Sequence, residues 1–145
     1  MLPRRCHDLV WSFYMERLPY IDEHATTIDS DAATTWEAVL KVLCGDPADP
    51  HAPVGFRVGE CRAPERLVLA GRHPFASYEW VFELDALTPN RTRVRSQTWA
   101  AFPHFRGKIY RALVIGSGGH RIVVRWTLKR IANEARRRGV SVRQP

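Results

Sequence analysis

Strict alternation of large apolar and polar residues marks one strand in the middle of the chain. Successive side chains of a strand point to opposite faces, so the segment YEWVFELD has one bulky aromatic face and one largely acidic face. The aromatic face carries Tyr78, Trp80, Phe82 and Leu84, and the other carries Glu79, Val81, Glu83 and Asp85.

A second alternating segment, RTRVRSQTWAA, follows the turn-forming residues ALTPN, which suit a hairpin loop. When the two segments pair, their alternating patterns match. The face with the aromatic residues of the first segment then also carries Val94, Ser96, Thr98 and Ala100 of the second. On the opposite face, acids of the first segment meet Arg93 and Arg95, which disfavours a one-residue slip of register. We therefore expect an antiparallel hairpin with a buried inner face and a solvated outer face.

A short strand and a helix precede this hairpin. HATTID predicts a strand with His24, Thr26 and Ile28 on one face. DSDAATTWEAVLKVLCGD predicts a helix that Ser30 or Asp31 can cap and that ends near Gly45. Its apolar stripe has the helical spacing i, i+3, i+4 and i+7 and consists of Trp36, Val39, Leu40 and Leu43.

The remaining segments are two strands and two helices. GFRVGEC and ERLVLAGR predict strands on either side of a turn at Pro64, whereas GDPADPHAP predicts a loop. RGKIYRALVIG predicts a short helix before the glycine-rich GSGG, and GHRIVVRWTLKRIANEARRR predicts the longest helix, ending at Gly139. One face of that helix consists of His120, Val124, Thr127, Leu128, Ile131 and Ala135.

Length and composition predict one domain. A chain of 145 residues that is 45% hydrophobic can bury one core, and no apolar run is long enough to span a bilayer. We expect an N-terminal extension over residues 1–20, a domain over 21–138 and a short basic tail over 139–145. Charged residues interrupt the apolar start, so a secretory signal is not expected, and Met15 is an alternative translation start.

Charge and cysteine usage add two expectations. Residues 104–145 contain eleven Lys or Arg and one acid, Glu134, so the net charge of +7 belongs to the C-terminal segment. Three cysteines without CxxC spacing favour reduced thiols and a cytoplasmic protein.

The segments together resemble the START-like SRPBCC superfamily, which includes polyketide cyclases and lipid-transfer domains. TIDSDAATTWEAVLKVL resembles its first strand and helix, RAPERLVLAGR its Pro-turn hairpin, and YEWVFELDALTPNRTRVRSQT its central hairpin. YRALVIGSGGHRIVVRWTLKRIANEA resembles its C-terminal helix. The resemblance implies an α+β helix-grip fold, in which a curved antiparallel sheet wraps around a long C-terminal helix and encloses a cavity for an apolar molecule.

Candidate ligand-binding residues follow from the inner face and from the few polar groups able to reach it. The face mixes aromatic surface with hydroxyls, a composition that ligand pockets favour, although plain core packing against the helix explains the same pattern. His24, His120 and Tyr110, with Glu60 as a further candidate, are the ionisable groups that can reach the interior. The full predicted set is Tyr78, Trp80, Phe82, Ser96, Thr98, Tyr110, His120 and His24.

Motifs of established chemistry are lacking. The chain has no GxSxG, HExxH, P-loop or GxGxxG motif, and its histidines have no third ligand at metal spacing, so neither a metal nor a cofactor is predicted. The basic helix lacks a reading motif, and aromatic residues are not interleaved with its Arg residues except for Trp126 beside Arg125, which argues against a nucleic-acid partner. Weak binding of this helix to anionic surfaces is compatible with its charge.

Three functions remain. The leading hypothesis is binding of a hydrophobic small molecule, lipid or aromatic polyketide-like, between the sheet and the C-terminal helix. The second is a cyclase or dehydratase-type enzyme in which His120 or His24 acts with Tyr110 in proton transfer. The third is an adaptor that acts through the basic C-terminal helix. The pattern indicates neither the ligand nor the oligomeric state.

Overall fold

The computed structural model describes residues 18–74, 76–102 and 105–143. Most of the expected N-terminal extension, residues 1–17, therefore lies outside the described residues. The elements in chain order are β1 (Tyr20–Ile28), α1 (Ala32–Cys44), β2 (Gly45–Asp46), β3 (Asp49–Pro50), β4 (Arg57–Arg62), β5 (Arg66–His73), β6 (Ala76–Thr88), β7 (Arg91–Ala101), α2 (Phe105–Val114) and α3 (Gly119–Arg143).

The main sheet is antiparallel, with the strand order β1-β7-β6-β5-β4. The first strand thus pairs with the last, and β1 and β4 form the edges. Two short strands, β2 and β3, pair separately within the segment that we expected to be a loop. The long helix α3 packs against α1, β1 and β7. This arrangement confirms the α+β helix-grip fold.

The register of the central hairpin confirms the predicted faces. Trp80 lies opposite Thr98 and Phe82 opposite Ser96, while Glu83 lies opposite Arg95 on the other face. Inward-facing residues of β6 therefore lie opposite inward-facing residues of β7.

The core lies between the inner face of the sheet and the helices α1 and α3. Phe82 and Val94 of the sheet are fully buried, as are Val39 of α1 and Ile131 of α3. Burial of such side chains contributes about 1.5–3 kcal/mol each to the free energy of folding, which explains why the apolar stripes of both helices face the sheet.

The start of α1 is held by the predicted cap. Asp31 Oδ1 accepts a hydrogen bond from the backbone N–H of Thr34 at 2.8 Å, and Asp31 Oδ2 accepts another from the Thr34 hydroxyl. Gly45 ends the helix at φ +82°, a backbone conformation that residues with a Cβ rarely adopt.

Two predicted boundaries are wrong. The strand β1 begins at Tyr20, four residues before His24, because its earlier residues pair with the end of β7. The helix α3 does not end at Gly139 but continues to Arg143. A single glycine inside a helix costs only about 1 kcal/mol, so it need not end one.

The outer face of the sheet is not fully solvated, contrary to the expectation. Val68 and Val81 point to this face and are 0% and 1% exposed. Beside them, Arg66 forms ion pairs with Glu60 and Glu83. Glu60 therefore lies on the outer face, which corrects its assignment to the interior.

Two further expectations concern the cysteines and membrane-spanning segments. Cys44 is a buried free thiol, whereas Cys61 is disulfide-bonded, so the expectation of three reduced cysteines is wrong. Among the helices of the described residues, none has the length and apolar character needed to cross a membrane.

Candidate ligand-binding site

A pocket of about 340 Å³, partly open to solvent, lies between the inner face of the sheet and the helices α2 and α3. We call it the sheet–helix pocket. Its size falls at the small end of the range of about 300–1,000 Å³ that is usual for small-molecule sites. The strands contribute Ala76, Tyr78, Trp80, Thr98 and Ala100 to its lining.

An aromatic cluster around Trp80 forms one wall of the pocket and the packing behind it. The Trp80 ring lies 4.9 Å from that of Phe82 and 6.1 Å from that of Phe56, measured between centroids. The indole Nε1–H donates a hydrogen bond to Ser96 Oγ at 2.7 Å. Because this bond satisfies the only polar atom of the indole, the ring presents apolar surface to the pocket.

Tyr78 forms the next part of the wall, and a glycine makes room for it. Its hydroxyl donates a hydrogen bond to the carbonyl of Gly55 at 2.9 Å. The ring lies over Gly71, its partner in the strand β5, where an added Cβ would be 2.1 Å from a ring carbon. Burial, with a smaller effect of Tyr110, raises the pKa of Tyr78, so its phenol stays protonated and donates at neutral pH.

The helices close the other side of the pocket. The side of α2 that faces the pocket carries Tyr110 and Val114, one helical turn apart. The first turns of α3 contribute His120, Val123 and Val124. The ring of Tyr110 stacks with that of His73 at 6.1 Å and also lies near Phe102. Aromatic contacts between α2 and strand ends therefore border the pocket.

A polar cluster borders the pocket where β1 meets the start of α3. The pairing of β1 with β7 places Asp22 opposite Thr98, so both side chains share the inner face. His120 Nε2 lies 3.0 Å from Thr98 Oγ1 and 3.2 Å from Asp22 Oδ1. The other carboxylate oxygen of Asp22 is 3.1 Å from His24 Nε2. One half-buried carboxylate thus joins two imidazoles.

The contacts restrict how the two histidines can bond to Asp22. An ionised carboxylate only accepts hydrogen bonds, so a histidine that bonds to an ionised Asp22 through Nε2 does so with a hydrogen on that atom. The contact with Asp22 also fixes the position of the His120 ring beside the pocket.

His24 lies in a second groove. This edge groove, of about 520 Å³, runs between the edge strand β1 and α3 and is lined by His24, Thr26, Arg125, Lys129 and Arg136 among others. His120 belongs to the sheet–helix pocket, and His24 belongs to the edge groove. The carboxylate of Asp22 thus connects the two cavities.

The predicted residues fall into three groups. Tyr78, Trp80, Thr98, Tyr110 and His120 line the sheet–helix pocket. Phe82 is fully buried in the core and Ser96 is buried beneath Trp80, so neither lies on the wall. His24 lies in the edge groove and reaches the pocket only through Asp22.

Sequence reasoning missed Asp22 and the aromatic residues Phe56 and Phe102. Asp22 has the same parity as His24, so extending the predicted strand by two residues would have found it. Phe56 lies in the predicted strand GFRVGEC but was not assigned to a face, and no local pattern indicated Phe102; both lie beside strand ends and become part of the lining through the fold.

The described residues offer no metal centre. Across residues 18–74, 76–102 and 105–143, no group of three or more His, Cys, Asp or Glu side chains is placed to hold a metal ion.

Comparisons with known proteins bear on the fold. No protein-family profile and no curated protein sequence matches the chain. Among solved structures, Zhui aromatase/cyclase from Streptomyces sp. R1128 is similar with a TM-score of 0.55 at 16% identity, covering 83% of this chain and 95% of that one.

Two further structures give the same picture. A conserved protein from Geobacillus kaustophilus has a TM-score of 0.54 at 12% identity, covering 79% of this chain and 94% of that one. A protein from Rhizobium loti has a TM-score of 0.55 at 14% identity, covering 78% and 94%. The protein thus has the helix-grip fold that its sequence resemblance to the START-like SRPBCC superfamily predicts.

Proposed function

We propose that the protein binds an apolar small molecule, an aromatic or lipid-like compound, in the sheet–helix pocket. The observation that carries this proposal is the composition of the walls. Aromatic and aliphatic side chains form most of the surface, and polar lining groups are few, among them Glu79, Thr98 and His120. Such a site offers apolar burial for affinity and a few directed polar groups for orientation.

The aromatic side chains of the wall are also preorganised for binding. Trp80 and Tyr78 have their polar atoms bonded to Ser96 and Gly55, respectively. A ligand therefore meets rings whose positions are already set, which lowers the entropy cost of binding. The modest volume favours a compact ring system over a large lipid.

The test is displacement of an environment-sensitive apolar dye, combined with a variant that fills the pocket. Ala100 lines the pocket, whereas its neighbour Ala101 points to the other face of β7. We expect Ala100→Phe to abolish dye binding and Ala101→Phe to preserve it. Melting temperatures of both variants report whether the fold is intact. Equal dye binding by a folded Ala100→Phe variant and the parent would overturn the proposal.

Proton-transfer catalysis of the cyclase or dehydratase kind is a second candidate function. The observation that favours it is the Asp22–His120 pair at the pocket. On the side away from the pocket, Asp22 also contacts His24 of the edge groove, so the carboxylate of the pair is held between two imidazoles. Zhui aromatase/cyclase shares the fold at 16% identity, and this likeness carries no residue roles. Only the geometry of the Asp22–His120 pair therefore supports catalysis as a candidate function.

The two functions differ in what His120→Ala and Tyr110→Phe do. In a binder, losing one hydrogen bond costs about 0.5–1.5 kcal/mol, so the affinity for a ligand found by dye displacement falls by about tenfold or less. In an enzyme, losing a general acid or base lowers the rate by about a hundredfold or more while binding survives. Conversion of the ligand that collapses in either variant would favour the enzyme.

A further inference from the structure

The helices α2 and α3, which border the sheet–helix pocket, expose large apolar side chains on their outward sides. Phe105 is 76% exposed, Leu113 67% and Ile122 70%. Ile109 and Trp126 are also exposed. Single exposed apolar residues are common, but a concentration on two consecutive helices indicates an interaction surface.

In α2 the apolar residues form one stripe that points away from the pocket. Phe105, Ile109 and Leu113 are spaced four residues apart, which places them along one side of a helix. Tyr110 and Val114 lie on the opposite side and line the pocket. The stripe is therefore not the face with which α2 packs on its own domain.

The start of α3 repeats the pattern. Ile122 and Trp126 are one turn apart and lie opposite the buried residues Val124 and Leu128. The guanidinium of Arg130 stands 4.8 Å above the ring of Trp126. Aromatic residues with basic neighbours are typical of side chains at a membrane–water boundary.

Basic residues lie beside both stripes along α2 and the start of α3. Residues 105–133 contain no Asp or Glu. This segment contains seven basic residues, and none of them makes an ion pair with an acid among the described residues. They are Arg106, Lys108, Arg111, Arg121, Arg125, Lys129 and Arg130. By contrast, Arg138 further along α3 pairs with Glu37 and Glu134. The uncompensated charge is therefore concentrated beside the exposed apolar residues.

We propose that this surface, the outward stripes of α2 and the start of α3, docks on an anionic phospholipid membrane. The apolar stripes would enter the headgroup boundary, and the flanking cations would meet acidic headgroups. Contact with a second copy of the same surface would bring cations against cations, which disfavours a symmetric dimer. The proposal holds whether or not the pocket binds a ligand.

Sedimentation with lipid vesicles tests the proposal. We expect the protein to bind vesicles that contain phosphatidylserine, to release them as salt rises, and to bind vesicles of pure phosphatidylcholine far less. Binding to neither kind of vesicle, or equal binding to both, overturns it.

Variants with matched controls locate the surface. Phe105→Ser with Leu113→Ser should weaken vesicle binding by about tenfold or more, because each lost side chain contributes apolar burial. Val140→Ser with Val142→Ser, which removes exposed apolar residues at the far end of α3, should leave binding unchanged. Equal loss in both double variants places the contact elsewhere and overturns the proposal.

Variants that remove a positive charge test the same surface independently, in case the serine variants are less stable. Arg106→Gln and Arg111→Gln should each weaken binding by about fivefold, since a cation near an anionic surface contributes about 1 kcal/mol. Arg137→Gln is the control, because Arg137 is already paired with Glu134. If sedimentation velocity shows a dimer that Phe105→Ser disrupts, with no vesicle binding, the surface joins two copies of the chain and the membrane proposal falls.

Discussion

His120 Nε2 lies 3.2 Å from Asp22 Oδ1, although 98 positions separate the two residues in the chain. The contact joins the start of the last helix to the edge strand β1 beside the sheet–helix pocket. It therefore serves two purposes, since it holds α3 against the sheet and orients an imidazole that borders the pocket.

Replacing Asp22 tests the structural part of this relationship. Asp22→Asn keeps the shape of the side chain but leaves a single acceptor oxygen for two histidines. We expect the free energy of unfolding to fall by about 1 kcal/mol, the usual contribution of one hydrogen bond. Asp29→Asn, which removes an exposed partner of Arg91, should change it by about half a kcal/mol or less. Equal changes in chemical denaturation would show that the Asp22 bridge adds nothing to stability.

Gly71→Ala tests how the aromatic wall is built. The new Cβ would lie 2.1 Å from the ring of Tyr78 and 2.6 Å from the carbonyl oxygen of Gly55, so the ring must move and lose its hydrogen bond. We expect a loss of about 1–3 kcal/mol in stability, as in other overpacked sites, together with weaker dye binding.

Gly59→Ala is the matched control for Gly71→Ala. A Cβ at position 59 meets Val68 at 3.5 Å, an ordinary contact. Its melting temperature should therefore stay close to that of the parent. A Gly71→Ala variant as stable as Gly59→Ala would contradict the placement of the Tyr78 ring.

Asp31→Ala tests the cap of α1 and predicts a pH dependence. Hydrogen bonds from the backbone N–H and the hydroxyl of Thr34 lower the pKa of Asp31. The carboxylate therefore stabilises the folded state above its unfolded-state pKa, and this stabilisation is lost as pH falls through the lower folded-state value. The variant should lose about 1 kcal/mol at neutral pH.

The difference between parent and Asp31→Ala should shrink below about pH 4, where the unfolded carboxyl becomes protonated. Urea unfolding at several pH values measures it. A difference that stays constant, or grows, as pH falls would show that the ionised carboxylate does not provide the cap.

Cys44 is expected to be chemically inert in the folded protein. Burial raises the pKa of its thiol to about 11, so only about one molecule in a thousand holds a thiolate at pH 8, and the side chain is also shielded from solvent. Alkylation followed by peptide mass analysis should leave Cys44 unmodified in the native protein and modify it in denaturant. Rapid modification of Cys44 without denaturant would contradict its burial.

Local pattern predicted most of the secondary structure. Alternation in YEWVFELD and RTRVRSQTWAA indicated both the strands and the faces that pair, because side-chain parity links register to burial. Helical spacing identified the buried stripes of α1 and α3, and side-chain chemistry limited the cap of α1 to Ser30 or Asp31, of which the structure uses Asp31. These signals act over a few residues, so a single sequence reveals them.

Long-range packing decided what local pattern could not. Val81 was assigned to a solvated face and is buried, with Val68 and Gln97 opposite it on the two neighbouring strands. Arg138 appeared to be one cation of a free basic segment, yet it pairs with Glu37, 101 residues away.

The candidate site shows the same division. Its aromatic and histidine residues were predicted by type and face, but Ser96 and Phe82 proved to lie behind the wall, and Asp22 and Phe56 were missed. A pocket is the space that packing leaves unfilled, so its lining depends on the positions of all the surrounding helices and strands in the tertiary structure. The sequence by itself determined which side chains face inward, and only the tertiary structure decided which of them border a cavity.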